Sequence, residues 1–150
     1  MPDWSIRRLA PGDAAGFAAM LDLFAEAFED PGAYSSRRPG PVWRERLLAN
    51  PDFMALVAEQ DGVVVGALAA FLLRKFEQER SEAYIYDLAV AGEARRRGIA
   101  TGLIEALKPI ARDAGAHVIF VQADYGDDPA IALYTRLGRR EDVLHFDIPV

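Results

Sequence analysis

The sequence predicts a single α/β (α+β) domain in which helices flank a mixed central sheet. Its 150 residues suit one domain with a substantial core. A hydrophobic content of 51% with 27% charged residues is typical of a globular protein. Apolar strand-like runs and segments of helical periodicity follow one another in the order β-α-α-β-β-β-α-β-α-β, which suits a mixed sheet. No repeat or second domain is visible, so we expect residues 1–150 to form one unit.

The first third of the chain predicts one strand and two helices. Residues 4–9 alternate as a strand, and residues 14–28 repeat apolar side chains at helical spacing after Asp13, a favourable N-cap. The segment that follows, up to Pro41, is rich in Pro, Gly and Ser and predicts a mobile surface loop. A plain connector and a substrate lid are both open for it. Residues 41–49 predict a short helix with Val42, Trp43, Leu47 and Leu48 on its apolar side.

The middle of the chain predicts three strands and a second long amphipathic helix. Residues 53–59 and 63–73 form a hairpin around Gln60-Asp61-Gly62, and residues 83–90 form the central strand. Residues 99–114 carry an apolar helical face. Pro109 lies inside this helix and is expected to kink or split it, because proline lacks the backbone N–H.

The last third predicts two strands around one helix. Residues 117–124 have the composition of a buried strand, and residues 129–137 form a helix with Pro129 in its first turn and Gly138 at its end. Residues 143–148 predict a final strand.

Composition excludes several classes of protein. The chain has no cysteine, and His117 and His145 are far apart, so neither a disulfide framework nor a metal site is expected. A net charge of −6 argues against nucleic-acid binding and is compatible with a cationic substrate. No apolar run is long enough for a bilayer, and the N-terminus lacks signal-peptide character. We therefore expect a cytoplasmic protein with no membrane partner.

The most informative stretch is the central strand and the turn that follows it. Residues 84–90 run into Arg95-Arg96-Arg97-Gly98, which opens the helix at Ile99. Free backbone N–H groups and the helix dipole favour an anion at such a helix start. The spacing is that of neither a dinucleotide-binding loop nor a P-loop. The turn therefore predicts a phosphate-bearing ligand outside the nucleotide-binding folds.

The spacing Arg95-x-x-Gly98-x-Ala100 resembles the acetyl-CoA pyrophosphate loop of the GNAT acetyltransferase superfamily. Further stretches resemble one branch, the type I aminoglycoside 3-N-acetyltransferases, over residues 21–148, and the loop at 33–41 and Pro109 depart from it. The matching stretches are residues 66–70, 75–78, 84–90, 121–129, 132–138 and 145–148.

The resemblance implies a GNAT fold and transfer of acetyl from acetyl-CoA to the 3-amino group of the 2-deoxystreptamine ring of gentamicin, sisomicin or fortimicin. Transfer would be direct, in a ternary complex, and would confer antibiotic resistance because acetylation removes a positive charge from the drug. A homodimer is also implied. Main-chain groups would hold the pantetheine arm of acetyl-CoA, and the arginine turn would hold its pyrophosphate. The residues so implied are Leu88, Ala89 and Val90 for the arm, and Arg95, Arg96, Arg97, Gly98, Ile99, Ala100 and Thr101 for the pyrophosphate.

Two residues are candidates for catalysis. Asp87 interrupts an apolar strand, where a carboxylate is costly unless it has partners or faces a cleft. It would act as the general base that deprotonates the ammonium acceptor, and a buried structural aspartate is the alternative. Tyr134 matches the tyrosine that many GNAT enzymes carry near the CoA sulfur and would protonate the leaving thiolate, with a core aromatic as the alternative.

Acidic and aromatic side chains around the acceptor would bind a polycation. The candidates are Glu77, Glu82, Tyr86, Asp124, Tyr125 and Asp127. Solvated turns are the alternative for the carboxylates, and packing is the alternative for Tyr86. Asp128 is interpreted as a helix N-cap, and His145 as a possible wall residue.

Two other functions are open at this point. The same site would serve another amine, such as a polyamine or a protein N-terminus. A regulatory module that binds acyl-CoA without turnover is a different class. An RNA-binding role for the arginine run is disfavoured, because the cluster is isolated in an acidic protein.

Overall fold

A five-stranded sheet is the centre of the structure, a computed structural model that describes all residues, 1–150. The strands are β1 (Ser5–Arg8), β2 (Phe53–Gln60), β3 (Val63–Arg74), β4 (Ser81–Val90) and β5 (Ala116–Val121). The helices are α1 (Ala14–Ala27), α2 (Pro31–Tyr34), α3 (Pro41–Ala49), α4 (Ile99–Asp113) and α5 (Asp128–Leu137), with a short 3-10 helix at Gly92–Ala94.

The sheet has the strand order β1-β2-β3-β4-β5. The pairs from β1 to β4 are antiparallel, and β5 is parallel to β4. The tight turn between β2 and β3 is made by Asp61 (φ 51°) and Gly62 (φ 79°), both in the left-handed conformation that a two-residue hairpin turn requires. The predicted mixed sheet flanked by helices, including this hairpin, is confirmed.

Helices cover both faces of the sheet, and each face has its own core. On one face α4 buries Ile99, Leu103 and Leu107 against β2, β3 and β4. On the other face α1 and α3 pack on the same strands and bury Phe24 and Leu48. Apolar burial on two faces gives the sheet its rigidity, which a site on β4 requires.

One extra residue in β4 changes which face its side chains meet. Asp87 pairs with Ala69 whereas Ile85 pairs with Ala70, so Tyr86 has no partner in β3 and forms a β-bulge. Before the bulge, Ile85 belongs to the core under α4. After it, Asp87 lies with side chains of α1. Strict alternation would have put both on one face, so the bulge turns Asp87 away from α4.

The last part of β4 is paired on one side only. β5 pairs with β4 from Ser81 to Ile85 and ends at Val121, whereas β3 continues to pair with β4 up to Val90. The main chain of residues 86–90 therefore presents a free edge towards the gap beyond β5.

The predicted mobile loop at 29–41 contains an ordered helical turn, so that prediction is wrong in part. Asp30 caps α2 by accepting a hydrogen bond from Ala33 N at 3.1 Å, and Pro31 suits its first position. Tyr34, at its end, is half-buried, whereas the rest of the segment from Phe28 to Arg38 is exposed.

Four other predictions are corrected. Pro109 does not split α4, which is continuous from Ile99 to Asp113, and because Pro109 is exposed, water can satisfy the carbonyl that it leaves free. β5 is half-exposed rather than buried, and Val42 and Trp43 of α3 are exposed. The final strand predicted at 143–148 is absent, since residues 139–150 have no regular structure and pair with no strand.

No helix in the structure is long and apolar enough to cross a membrane.

Candidate active site

Asp87 is half-buried, and its two carboxylate oxygens have different surroundings. The phenol of Tyr34 donates a hydrogen bond to Oδ2 at 2.9 Å. Oδ1 accepts no hydrogen bond from the protein. Every fully buried side-chain oxygen in the structure has a hydrogen-bond partner, so Oδ1 is not fully buried and solvent can reach it. Burial raises the pKa of the carboxyl above its usual value, and the hydrogen bond from Tyr34 opposes part of this rise. A carboxylate with one free oxygen and a raised pKa is suited to accepting a proton.

A polar cavity of about 520 Å³ lies against Asp87. It is bounded by β4, the α2 turn, the end of β5 and the C-terminal segment. Its lining consists of Ala33, Tyr34, Tyr84, Ile85, Tyr86, Asp87, Gln122, Asp124 and His145. Of the substrate-binding residues predicted from sequence, Tyr86 and Asp124 lie here together. Two carboxylates and no lysine or arginine line the cavity, which favours a cationic ligand.

A second, mostly apolar cavity of about 340 Å³ lies on the other side of Tyr34. It is formed by α1, α2 and the strands beneath them, with Arg37 and Arg38 at its rim. Tyr34 and Asp87 line both cavities, so their hydrogen bond stands at the boundary between them.

The start of α4 offers an anion site. Gly98 precedes the helix with φ 78°, and no side chain caps it. The backbone N–H groups of Ile99, Ala100 and Thr101 have no partner within the helix, as at any helix start. A Cβ on Gly98 would meet no atom within 4 Å, so the approach to these N–H groups is open. The residues present therefore fit a pyrophosphate.

The three arginines of the turn are in different situations. Arg97 binds Gln60 at 2.8 Å and forms an ion pair with Asp3, so its guanidinium is held by the N-terminus and by β2. Arg95 donates to the carbonyl of Val90 at 3.5 Å. Arg96 is exposed, has φ 62° and makes no hydrogen bond or ion pair. Arg95 and Arg96 are thus available to an anion, and Arg97 is held in a structural contact.

The free edge of β4 lies between Asp87 and this anion site. Leu88 and Val90 pack partly against the core under α4, and Ala89 is buried on the α1 side. Their side chains are therefore engaged, and what they offer to a ligand is main-chain N–H and C=O groups. An extended amide-bearing chain can pair with such an edge as an added strand.

Tyr134 lies on α5 and packs its ring against the core under α4. Burial, with a smaller contribution from Asp127, raises the pKa of its phenol to about 12. The phenol therefore keeps its proton at neutral pH, and no protein group accepts a hydrogen bond from it. A neutral phenol with a free proton is able to act as an acid.

The other predicted substrate-binding residues lie outside both cavities. Glu77 and Glu82 form ion pairs with Lys75 at 3.1 and 3.3 Å, and Glu82 is five residues along β4 from Asp87, roughly 16 Å at the rise of a strand. Tyr125 is 79% exposed, next to Arg140.

Asp127, and not Asp128 as the sequence predicts, is the N-cap of α5. Its Oδ1 accepts a hydrogen bond from Ala130 N at 3.3 Å, which makes it the N-cap of α5. The interpretation of Asp128 as the cap is wrong, because the helix begins one residue earlier than predicted and Asp128 is its first residue.

Two residues of the site were missed in the sequence. Tyr34 was overlooked because its segment has a loop composition, although it is the only aromatic residue between Phe28 and Pro41. Gln122 accepts a hydrogen bond from the Tyr84 phenol at 2.7 Å and lines the polar cavity. Nothing local in the sequence distinguishes Gln122 from a surface residue.

Comparisons with protein-family models and with known sequences both find acetyltransferases. A family model described as the acetyltransferase (GNAT) family matches residues 17–138. An uncharacterised N-acetyltransferase, YhfO of Bacillus subtilis strain 168, is 25% identical over 138 residues, covering 92% of this chain and 91% of that protein.

Two solved structures are similar over nearly the whole chain. An aminoglycoside acetyltransferase from an uncultured soil metagenomic sample is 54% identical with a TM-score of 0.96, covering 100% of this chain and 99% of that one. A second aminoglycoside acetyltransferase of the same kind of origin, in complex with sisomicin, is 32% identical with a TM-score of 0.89, covering 98% of this chain and 96% of that one.

Proposed function

The chain belongs to the acetyltransferase (GNAT) family, and on this basis we propose that it acetylates an amino group of aminoglycosides. The acceptor we propose is the 3-amino group of the 2-deoxystreptamine ring, with gentamicin, sisomicin and fortimicin as substrates. The observation that carries the proposal is Asp87, a half-buried carboxylate that lines a polar cavity beside the free edge of β4. The similarity to two aminoglycoside acetyltransferases, one of them bound to sisomicin, supports the choice of acceptor.

Acetyl-CoA, which the GNAT family uses, is the proposed acetyl donor. The N–H groups of Ile99, Ala100 and Thr101, with Arg95 and Arg96, would bind its pyrophosphate. Main-chain groups of residues 88–90 would pair with its pantetheine arm. This arrangement would direct the thioester towards Asp87, because the free edge runs from that residue to the anion site.

The proposed reaction is a direct transfer in a ternary complex. The acceptor enters as an ammonium, and Asp87 takes one of its protons. The amine nitrogen then attacks the thioester carbonyl, so that a C–N bond forms, the C–S bond breaks, and the electron pair leaves on sulfur. Tyr134 would give its proton to that thiolate. The second proton that the acetylated nitrogen must lose would pass to solvent, which also restores the phenol and takes the proton from Asp87. A cysteinyl acyl-enzyme is excluded, because the chain has no cysteine.

The charge around the acceptor supports a polycation. Asp87 and Asp124 line the polar cavity without a lysine or arginine, and the whole chain carries a net charge of −6. Each ammonium group of an aminoglycoside would gain from this negative potential. Acetylation removes one of those charges, and antibiotic resistance is the proposed consequence.

The test is acceptor-dependent release of thiol from acetyl-CoA, with gentamicin, kanamycin, spermidine and a short peptide as parallel acceptors. We expect release with gentamicin, and NMR of the product should locate one acetyl group on the 3-amino nitrogen. If thiol were released with spermidine or the peptide alone, the proposed acceptor would be wrong and the proposed acetyl transfer from acetyl-CoA would stand. Binding of acetyl-CoA without release for any acceptor would identify a non-catalytic module.

We also propose that two copies of the chain form a homodimer through the C-terminal segment. Residues 139–150 place Val143, Leu144, Phe146 and Ile148 in solvent, each at least 65% exposed. β5 has a free outer edge, and α5 has no fully buried residue. In a symmetric dimer, the apolar C-terminal segment of each copy would be covered by the other copy, and the free outer edge of β5 would find a strand to pair with.

A further inference from the structure

The α2 turn reaches the candidate base through one side chain. From Phe28 to Arg38 every residue is exposed except Tyr34. The ring of Tyr34 packs against Phe24 and Phe28, with centroids 5.8 and 5.7 Å away, and its phenol donates to Asp87 Oδ2 at 2.9 Å. The ring contacts fix the direction in which the phenol points, since an aromatic side chain has only two rotatable bonds.

The backbone beneath Tyr34 is held in place by its own neighbours. Asp30 caps the turn at Ala33 N, and Tyr34 N donates to the Asp30 carbonyl at 3.3 Å. Arg38 binds the Tyr34 carbonyl at 3.0 Å and pairs with Asp22 of α1. The phenol is therefore presented from an anchored turn and not from a free loop.

We propose that Tyr34 is a positioning residue for Asp87: its phenol holds Oδ2 and thereby leaves Oδ1 directed to the acceptor cavity as the proton-accepting atom. The inference rests on the proposed function of Asp87. It accounts for the difference between the two oxygens: Oδ2 accepts a hydrogen bond from Tyr34 where the two cavities meet, and Oδ1 accepts none from the protein.

The hydrogen bond also favours the ionised carboxylate. Burial raises the pKa of Asp87, and donation from Tyr34 lowers it, so loss of the phenol should raise it further. The Asp87 carboxylate in turn helps to raise the pKa of the Tyr34 phenol, which therefore stays protonated and able to donate. A base that is ionised at a lower pH is available over a wider range.

Other titratable groups near Asp87 come from four parts of the chain. α1 contributes only apolar side chains to the two cavities, and so does β3. The groups that can influence the carboxylate are Tyr84 and Tyr86 on β4, Asp30, Arg37 and Arg38 around α2, Asp124 after β5, and His145 in the C-terminal segment. Of these, none donates a hydrogen bond to Asp87, so Tyr34 is the group whose removal isolates the effect.

The experiment is Tyr34→Phe, which keeps the ring and removes the phenol. The dependence of kcat/KM on pH with gentamicin should move its acidic limb to higher pH, because the carboxyl must lose its proton to act. At neutral pH we expect a rate lower by roughly tenfold, the effect of losing one hydrogen bond to a charged group. A carboxyl-carbon NMR titration of Asp87 in the free protein should move in the same direction.

The control is Ser35→Ala, which removes an exposed hydroxyl from the neighbouring residue and leaves the ring contacts and the phenol of Tyr34 in place. It should leave both the acidic limb and the NMR titration of Asp87 where they are in the wild type. Coincident titrations for Tyr34→Phe and the wild type would overturn the inference. If that result comes with an inactive Asp87→Asn, the proposed function survives, whereas full activity of Asp87→Asn would defeat both.

Discussion

The chemistry available to Asp87 is decided by what each of its oxygens contacts. Oδ2 accepts a hydrogen bond from Tyr34, Oδ1 accepts none from the protein, and the residue lines a cavity with a second carboxylate, Asp124. Burial raises the pKa of the Asp87 carboxyl, and a cationic acceptor bound beside it would lower that pKa again. At the scale of single residues, this charge arrangement is the basis on which we propose an ammonium ligand.

Tyr134→Phe tests the proposed acid. The variant should lower kcat by roughly 10²-fold or less, the lower end of what acid–base catalysis contributes, because water can supply the proton instead. The affinity for acetyl-CoA, measured by calorimetry, should not change. Since the phenol has no partner in the protein, the free energy of unfolding should also stay within about 0.5 kcal/mol. An unchanged kcat would assign Tyr134 to the core alone.

At the scale of elements, the site depends on how closely α4 lies on the sheet. Gly66 of β3 faces the first turn of α4, and a Cβ there would stand 2.7 Å from Ile99 Cγ2. Ile99 is buried and β-branched, so it has little freedom to move aside. The helix start that offers the anion site is thus placed by a direct backbone approach from β3.

Gly66→Ala tests this placement. It should destabilise the protein by about 1–3 kcal/mol, as overpacking does, and raise KM for acetyl-CoA because the start of α4 is displaced. Urea unfolding and steady-state kinetics measure the two effects.

A matched control is Gly138→Ala. Its Cβ would meet only the Tyr134 carbonyl oxygen at 3.8 Å, an ordinary contact, so stability should change by less than about 0.5 kcal/mol. If Gly66→Ala and the wild type had equal stability and equal KM, the close contact between Gly66 and Ile99 would not determine the position of α4.

At the scale of the whole molecule, the features that could be predicted from sequence are those that depend on neighbouring residues in the chain. The hairpin at Asp61 and Gly62, the cap at Asp13 and the turn at Gly98 each carry their own signal, and all three are present. The sheet order follows from these elements and from burial.

Features that depend on distant partners could not be predicted. The bulge at Tyr86 is a matter of register with β3, and it decides which face Asp87 meets. The contact between Tyr34 and Asp87 joins residues 53 positions apart in the chain. The alternation at 143–148 has the pattern of a strand, but a strand forms only where another one can pair with it.

The proposed dimer gives that segment a partner, and Phe146→Asp tests it. By light scattering the wild type should have twice the chain mass of 16.5 kDa, and the variant should have the mass of one chain, because a charge would be buried at the interface. Phe76→Asp is the control, since Phe76 is fully exposed in the β3–β4 connection, outside the C-terminal segment, and should not affect assembly. A monomeric wild type would contradict the proposal.

The most direct test of the account is acceptor-dependent thiol release by Asp87→Asn. We expect a loss of about 10²–10⁴-fold in turnover with gentamicin, the contribution of general-base catalysis, with unchanged binding of acetyl-CoA. Asp113→Asn, which removes an exposed carboxylate at the far end of α4, should keep wild-type turnover. Wild-type turnover in Asp87→Asn would contradict the assignment of the base and the function built on it.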